Sequence, residues 1–288
     1  MRILSETARL EDEGRKLLYF LRGRMKIGNR LLSSLKYKNQ IFLNDLPTHV
    51  DSLVHAGDVI RVILLDEAPS TLVPQNEEVA ICWEDEDFFA AEKSAPLACQ
   101  QGHHQEPSLE ARLLAHYGAG FVFRPLNRLD KGTSGLLIAA KNQRAFPLLQ
   151  QRLHTDDFIR EYLAVTEGFP GEAGVIDLPI ARVENSVRRC VREDGLKSIT
   201  EFRTLARYGH RSLVRLRLRS GRTHQIRVHL SHQGCPLTGD FLYGCSSDLL
   251  PGRFALHSAY VRFVHPLTQE VIELSSPLPA EMENLLKP

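Results

Sequence analysis

Residues 127–138 combine a carboxylate with a stretch of chain that can hold it still. The carboxylate belongs to Asp130, which is followed by a Lys-Gly-Thr-Ser-Gly run and then by an apolar segment typical of a buried strand. Glycine permits backbone angles that other residues resist, and threonine and serine hydroxyls bond neighbouring amides, so this loop can be rigid. A rigid loop can present an acid for chemistry. An aspartate there can equally cap the turn, and the loop alone does not separate the two roles.

Two later segments contribute polar groups that need partners. Tyr162 lies at the start of a strand predicted over residues 161–165, where a tyrosine is usually a packed aromatic. Arg227 lies near the start of a helix predicted over residues 224–232, with Thr223 as its cap. The helix dipole favours anions at that end, so a carboxylate partner would account for the arginine.

Acidic and basic residues are segregated along the chain, although the formal net charge is only +1. Residues 182–229 contain thirteen Arg or Lys against four Asp or Glu, whereas residues 66–92 contain nine acids and no base. A polyanion can therefore bind one face, although a solvated surface is the simpler alternative. One predicted strand in the basic part alternates apolar and arginine side chains. The apolar set is Val214, Leu216 and Leu218, and the outward set is Arg215, Arg217 and Arg219.

Length and composition indicate a protein of the cytoplasm that binds no metal. The 288 residues suffice for one large domain or two smaller ones. Residues 1–16 are charged and no later apolar run approaches membrane-spanning length, so neither a signal peptide nor a membrane span is expected. The adjacent His103 and His104 are predicted to be solvated loop residues. Structural zinc and disulfides are not expected, because no Cys-x-x-Cys pair occurs among Cys82, Cys99, Cys190, Cys235 and Cys245.

The amino-terminal part has the pattern of a small α+β module. A short helix is predicted over residues 17–21, and a second begins at Asn29 as its cap and is followed by short strands. Basic residues on or beside the second helix suit contacts to phosphates. They are Lys26, Arg30, Lys36 and Lys38.

The order of this module resembles the S-four-like RNA-binding domain, named for a ribosomal small-subunit protein. The similarity rests on the second helix, the Ile-Phe-Leu-Asn segment after it and a later Gly-Asp-Val-Ile segment. A generic α+β cap is the alternative. Prolines and acids then indicate a linker. We therefore predict an S-four-like RNA-binding domain over residues 1–66, a linker over residues 67–78 and a catalytic domain over residues 79–288.

Three separated segments resemble the RluA-type family of large-subunit ribosomal pseudouridine synthases. They read Arg-Leu-Asp with Thr-Ser-Gly-Leu-Leu from residue 128, Glu-Tyr-Leu-Ala from residue 161 and Gly-Arg-Thr-His-Gln-Ile-Arg-Val-His-Leu from residue 221. Weaker agreement continues in Gly239, Asp240 and Tyr243. The resemblance implies an α+β fold, in which a central mixed, largely antiparallel sheet is flanked by helices and loops. It also implies that Asp130 is the catalytic aspartate, Tyr162 the active-site tyrosine and Arg227 the partner of the aspartate.

Arg128 matches a family residue that helps to displace the target base. Three departures from the family pattern concern the loops beside the aspartate. Asn127 stands where the family usually has histidine, Ser94 stands where it usually has proline, and residues 95–107 lack the usual His-Pro. They leave open how the loop before the active site contacts RNA. His224 and His229 could act as general bases, but structural hydrogen bonds are the favoured interpretation.

The predicted activity is isomerisation of uridine to pseudouridine in structured RNA, either ribosomal RNA or transfer RNA, by a cytoplasmic monomer. The reaction needs no redox change, metal or cofactor, and Asp130 could attack the sugar or abstract a proton. A non-catalytic RNA-binding or ribosome-assembly factor is the alternative. A phosphate-cradling enzyme is disfavoured, because the glycine-rich loop lacks P-loop spacing. The residues expected to contact RNA are Arg128, Lys26, Arg30, Lys36, Arg215, Arg217, Arg219 and Arg222.

Overall fold

The computed structural model describes residues 2–65, 72–102, 106–244 and 246–287. The predictions for His103 and His104, and for the first part of the linker, lie outside these residues. Six α-helices, one short 3-10 helix (Leu10–Asp12) and eighteen strands are present in the described ranges. The amino-terminal elements are β1 (Arg2–Thr7), β2 (Arg15–Lys16), α1 (Leu17–Gly23), α2 (Asn29–Tyr37), β3 (Ile41–Leu43), β4 (Leu46–Pro47), β5 (Leu53–Val54) and β6 (Val59–Leu64).

The remaining elements form the larger part of the molecule. They are β7 (Ala80–Glu84), β8 (Phe88–Lys93), α3 (Leu109–Tyr117), β9 (Arg124–Pro125), β10 (Ser134–Ala140), α4 (Ala145–Gln150), β11 (Phe158–Glu167), β12 (Ala173–Asp177), β13 (Ile180–Arg182), β14 (Arg189–Val191), β15 (Ile199–Tyr208), β16 (Arg211–Leu218), α5 (Gln225–His232), β17 (Leu256–Val264), β18 (Val271–Ser275) and α6 (Ala280–Asn284).

The amino-terminal elements build a four-stranded sheet in the order β1-β6-β3-β4, with a separate core beneath α1 and α2. Helix α2 buries Leu31, Leu32 and Leu35, which lie on one side at helical spacing. The predicted cap at Asn29 is wrong, because Gly28 is the N-cap and makes no side-chain cap bond. Strand β1 went unpredicted because its partner β6 lies more than fifty residues away in sequence.

The larger part is organised on a ten-stranded sheet, which confirms the predicted α+β class with a central mixed, largely antiparallel sheet. Its main path runs β12-β15-β16-β11-β17-β10-β8-β7, with β18 beside β17 and β9 beside β10. Every pairing is antiparallel except that of β10 with β17, which is parallel. The central strand β10 is buried at all seven positions, as expected of a strand covered on both faces.

Two hydrophobic layers cover this sheet, one on each face. Leu137 packs in one layer with residues of α3 and α5, whereas its neighbour Leu136 packs in the other with Leu149 of α4. This alternation is the period of two expected of a strand. Consequently α5, which carries Arg227, lies on the same face of the sheet as Tyr162.

Several predicted elements differ from those observed. The apolar spacing of residues 144–154 predicts a helix over that whole range, but α4 ends at Gln150, and the turns after it continue the same spacing. Residues 182–196 are polar and basic without a period, a pattern that predicts a loop. They nevertheless include β14 and the end of β13, which pair as a hairpin of three-residue strands too short for a visible period. Strand β11 has ten residues, so Tyr162 lies near its middle rather than at its start.

Polar contacts join the amino-terminal elements to the larger part. Arg144 Nε donates to the Met25 carbonyl at 2.6 Å, and Gln143 donates to the Leu65 carbonyl at 3.0 Å. Arg2 also reaches Asp87 at 3.2 Å. These contacts fix α2 beside α4. The division at residues 66 and 78 remains a prediction.

Candidate active site

The loop between β9 and β10 holds Asp130 through its backbone. The Asp130 carbonyl accepts a hydrogen bond from the Thr133 amide at 3.0 Å. The thiol of Cys99 lies 3.1 Å from the Leu129 carbonyl and 3.3 Å from the Leu129 amide. Gly135 has φ +105°, and a Cβ there would lie 2.3 Å from the Ser258 carbonyl oxygen, so only glycine lets β10 approach β17 this closely. The expected rigidity of the loop is therefore visible in its contacts.

A buried lysine ties this loop to residues 94–97. The Lys93 ammonium donates to the carbonyls of Leu97 at 2.7 Å, Ser94 at 2.9 Å and Lys131 at 3.4 Å. Burial lowers the pKa of Lys93 to about 8. Because Ser94 contributes its carbonyl, this contact does not require the proline usual in the family.

Asn127 is buried, and its side chain forms hydrogen bonds within the fold. Its buried side chain accepts from the Ile138 amide at 2.9 Å and donates to the Leu136 carbonyl at 3.4 Å. It thus joins the beginning of the loop to β10. The departure from the family pattern at this position therefore has a local structural role.

Arg227 contacts Asp130, as expected, but its main partner is Asp240. Its Nη1 lies 3.3 Å from Asp130 Oδ2, whereas Nε and Nη2 bind the two oxygens of Asp240 at 2.8 and 2.9 Å. The guanidinium also lies 4.1 Å from the ring centre of Phe254. Burial opposes its charge, but the hydrogen bonds and charge of Asp240, together with Asp130, raise the pKa of Arg227. Asp240 therefore orients the arginine that orients Asp130.

Tyr162 lines one cavity together with Asp130 and Arg227. It is buried, and it pairs across the sheet with Leu216 on β16 and with Ser258 on β17. Burial raises the pKa of Tyr162, so the phenol is neutral at neutral pH. Within this cavity it therefore presents a neutral phenol and not a phenolate.

The two histidines of the α5 segment have different environments. His229 is fully buried and bonds the Thr200 hydroxyl at 2.9 Å and the Leu178 carbonyl at 3.0 Å, as expected of a structural residue. His224 bonds the Tyr243 hydroxyl through Nδ1 at 2.8 Å, but its Nε2 lies 3.8 Å from Asp130 Oδ2. The N-cap of α5 is His224 itself, at φ +60° and without a side-chain cap bond, so the cap predicted at Thr223 is wrong.

These side chains enclose a small cavity of about 60 Å³ that contains Asp130, Tyr162, His224 and Arg227 in its lining. It shares Arg128 and Arg222, both exposed, with a larger cavity of about 590 Å³. Arg222 also lines a third cavity of about 500 Å³ beneath the β13–β14 hairpin. Two predicted RNA contacts therefore lie at the mouth of the candidate site.

The arginines of β16 lie elsewhere. Tyr162 shares a sheet face with Leu216, its cross-strand partner, so Arg215 and Arg217 project from the opposite face. These two arginines, and Arg219 directly after the strand, are each paired with an acid. The pairs are Arg215 with Glu161, Arg217 with Asp156, and Arg219 with Asp156 and Glu201.

The predicted contacts of the amino-terminal module also lie outside the active-site cavity. Lys26, Arg30 and Lys36 are exposed. Arg30 lines a cleft of about 720 Å³ between α2 and α4. This cleft and the larger active-site cavity share Gln150, so the two are neighbours.

Several residues of this site could not be assigned a role from the sequence. Asp240 was noted only as a weak match, although a lone acid in a Gly-Asp turn was a usable signal for a partner of Arg227. Tyr243 was also noted without a role. The hairpin arginines Arg182, Arg189 and Arg192 fell in a segment predicted to be a loop.

Among the described residues, no cluster of three or more His, Cys, Asp or Glu is placed to hold a metal ion. No helix within the described ranges is long and apolar enough to cross a membrane.

Comparison with known proteins agrees with this geometry. The family model for RNA pseudouridylate synthase matches residues 87–232. The chain is 35% identical over 285 residues to YhcT of Bacillus subtilis, an RNA pseudouridine synthase described as uncharacterized, covering 96% of this chain and 94% of that protein. It is 33% identical to ribosomal large subunit pseudouridine synthase D of Haemophilus influenzae, covering 85% and 81%.

A solved structure, human RNA pseudouridylate synthase domain containing 1, matches with a TM-score of 0.58 and 27% identity, covering 70% of this chain and 84% of that one. These matches confirm the resemblance predicted from three short segments. The chain belongs to the RluA-type RNA pseudouridylate synthase family and is an isomerase.

Proposed function

We propose that this protein isomerises specific uridines of structured RNA to pseudouridine, with Asp130 as the catalytic carboxylate. The observation that carries the proposal is the placement of Asp130 in a cavity walled by Tyr162, 3.3 Å from a buried arginine that a second carboxylate holds in place. A charged partner at this distance aims the carboxylate and favours its ionised form.

The chemistry moves the uracil from one attachment to another. The bond from sugar C1′ to ring N1 breaks, the base rotates, and C1′ joins ring C5, whose proton is lost. Asp130 supplies the carboxylate, either as the nucleophile at C1′ or as the base that removes a sugar proton. The isomerisation conserves oxidation state, so we propose that it proceeds without a cofactor.

Tyr162 is proposed to stack on the uracil. Its raised pKa argues against a phenolate that accepts the C5 proton at neutral pH. A stacked aromatic holds a flat base while allowing it to turn in its plane. The tyrosine therefore suits a step in which the uracil rotates.

Arg128 is proposed to occupy the space that the target base vacates. The reactive carbon is inaccessible while the uridine is stacked, and flipping the nucleotide costs a few kcal/mol. The exposed Arg128 lies two residues before Asp130 at the cavity mouth. Its cationic side chain can follow the phosphates or stack on a neighbouring base.

The RNA around the target is proposed to follow the cavities that adjoin the active site. On one side lies the hairpin cavity lined by Arg182, Arg189, Arg192 and Arg222. On the other lies the cleft between α2 and α4, whose lining in the described chain has three basic residues and no acid. The S-four-like module, through Lys26, Arg30 and Lys36, would add contacts to phosphates that position RNA without reading its sequence. The arginines of β16 could contact only RNA that passes to the other sheet face.

Ribosomal RNA is the first proposed substrate, since one similar protein is named for the large ribosomal subunit; transfer RNA is the second. We propose that the protein acts as a monomer in the cytoplasm. A non-catalytic RNA-binding or assembly factor is less well supported, because Asp130, Arg227 and Asp240 keep an arrangement that RNA binding alone would not require.

The test is pseudouridine mapping across all RNA in cells with the gene, without it, and with it restored. We expect one or a few sites to vanish on deletion and to return on restoration, which would also identify the RNA. An unchanged pseudouridine map would favour the non-catalytic factor.

A further inference from the structure

His224 stands beside Asp130, but the proposed function so far gives it no task. Its Nε2 faces the cavity that Tyr162 and Asp130 also line, 3.8 Å from Asp130 Oδ2. That separation is too long for a hydrogen bond. Within the described part of the chain, Nε2 has no hydrogen-bond partner, whereas Nδ1 is bonded to the Tyr243 hydroxyl at 2.8 Å.

The hydrogen bonds around Tyr243 favour one tautomer of His224. The backbone N–H of Arg189 donates to the Tyr243 oxygen at 2.7 Å, and a backbone amide can only donate. The Tyr243 hydroxyl can then donate its single proton to His224 Nδ1, 2.8 Å away. A neutral imidazole that accepts at Nδ1 carries its proton on Nε2. In this tautomer His224 presents an N–H donor to the cavity that it lines.

The ring is neutral under ordinary conditions. Burial lowers the pKa of His224, and although Asp130 opposes this, the nearby guanidinium of Arg227 and the charge of Arg189 lower it further. A neutral donor is suited to this position, because it can bind a polar ligand atom without neutralising Asp130. Asp130 Oδ2 already accepts from Arg227 Nη1 at 3.3 Å.

The reaction creates an acceptor for such a donor. When the bond from C1′ to N1 breaks, its electron pair stays on the uracil and spreads from N1 onto the carbonyl oxygens O2 and O4. A fixed donor aimed at one of these oxygens stabilises charge as it develops. No proton needs to be transferred, because the uracil keeps the electron pair until C5 bonds to C1′.

We propose that His224 is a further catalytic residue, whose Nε2–H donates a hydrogen bond to a uracil carbonyl oxygen as the base leaves the sugar. Tyr243 is its positioning residue, because its hydroxyl fixes the imidazole tautomer. This inference rests on the proposed function. It also links the active site to the β13–β14 hairpin, since the amide that fixes Tyr243 belongs to Arg189 of β14.

The backbone at His224 guides the choice of variants. Its φ of +60° lies in the left-handed region, which asparagine tolerates better than most residues. His224→Asn therefore keeps the backbone while removing the donor from the Nε2 position. His224→Gln has a longer side chain whose amide N–H can reach that position. His232→Asn, at the exposed end of α5, is the matched control.

The assay is single-turnover tritium release from large-subunit ribosomal RNA transcribed with tritium at uridine C5. We expect His224→Asn to be slower by about 10²–10³-fold, the effect of removing one preorganised donor, with unchanged RNA affinity in filter binding. The rate of His224→Gln should be within about tenfold of the wild-type rate, and His232→Asn should have the wild-type rate. A wild-type rate for His224→Asn, or equal loss in the Gln variant, would overturn the inference. Inactive wild-type protein on ribosomal and transfer RNA would overturn the proposed function and this inference with it.

A second substrate separates catalysis from misfolding. Fluorine at C5 withdraws electrons and makes the uracil anion a better leaving group, so release of the base should depend less on a donor. This step is measured as the loss of 5-fluorouridine from RNA that contains it. The remaining 5-fluorouridine is quantified by chromatography after nuclease digestion. The wild-type to His224→Asn rate ratio should shrink at least tenfold. An equal ratio on both substrates would indicate a structural defect and contradict the proposed role.

Discussion

Replacing Asp240 should destabilise the fold and slow isomerisation, because its carboxylate holds Arg227. The side chain is fully buried and binds the guanidinium at 2.8 and 2.9 Å. It also accepts from the amides of Leu242 and Tyr243, each at 3.1 Å. Asp240→Ala leaves a buried charge without its main partner, which costs about 3–5 kcal/mol. Asp240→Asn keeps one acceptor oxygen and should cost about 1.5–3 kcal/mol, the range for one hydrogen bond to a charged group.

The effect on rate follows from the second contact of the same arginine. With Asp240 gone, Arg227 is free to turn toward Asp130 or away from it, and the carboxylate loses its fixed direction. A displacement of about 1 Å at a reacting group can cost about 10²-fold in rate. We therefore expect Asp240→Asn to lower the single-turnover rate about 10²-fold while RNA affinity stays unchanged.

Urea unfolding measures the stability change, and tritium release from C5-labelled RNA measures the rate. Glu273→Gln is the matched control, because it removes one acid of an exposed pair with Arg262 at 3.3 Å. An exposed pair contributes little, so its urea midpoint and rate should match wild type. If Asp240→Ala has the same urea unfolding midpoint and the same single-turnover rate as the wild type, Asp240 does not hold Arg227 in place.

Three further predictions concern RNA access, RNA affinity and the loop that carries Asp130. Arg128→Ala should slow turnover of a uridine in a duplex more than of one in an open loop, since only the former must leave a stack. Deleting residues 1–66 should weaken RNA binding and flatten its dependence on salt, and an unchanged salt slope would exclude the module from RNA contact. Burial lowers the Lys93 pKa from 10.5 to about 8, so the unfolded chain binds more protons between those values and stability should rise with pH there. Across that pH window, the free energy of unfolding of the wild type, measured by urea unfolding, should rise by roughly 3 kcal/mol more than that of Lys93→Met. Equal dependence of unfolding free energy on pH in the two proteins would contradict a buried Lys93 with a lowered pKa.

The class of the fold and the position of Asp130 could be predicted from the sequence because their signals are local. The glycine-rich loop, the apolar run of β10 and the alternation along β16 can each be recognised within about ten residues. The ends of helix α3 can likewise be predicted from a serine before its apolar residues and a glycine after them. The structure has Ser108 as the N-cap, whose hydroxyl accepts from the Ala111 amide at 3.2 Å, and Gly118 at φ +83° as the C-cap. Each of these features is determined by neighbouring residues.

What escaped prediction depends on residues that are distant in sequence. Asp240 and Arg227 are thirteen residues apart and meet because a turn after α5 folds back beneath it. The sheet pairing that turns Arg217 away from Tyr162 could not be inferred from β16 alone, although alternation on that strand was correctly predicted. The tautomer of His224 depends on Arg189 and Tyr243, which approach it from two other segments.

The most direct measurement of the central claim is tritium release by Asp130→Asn. The change replaces one carboxylate oxygen by an NH2 group of almost the same size, so the fold and the surface that binds RNA should persist. We predict no release of C5 tritium above background, with RNA affinity within about tenfold of wild type. Release at the wild-type rate would contradict the assignment of Asp130 as the catalytic carboxylate.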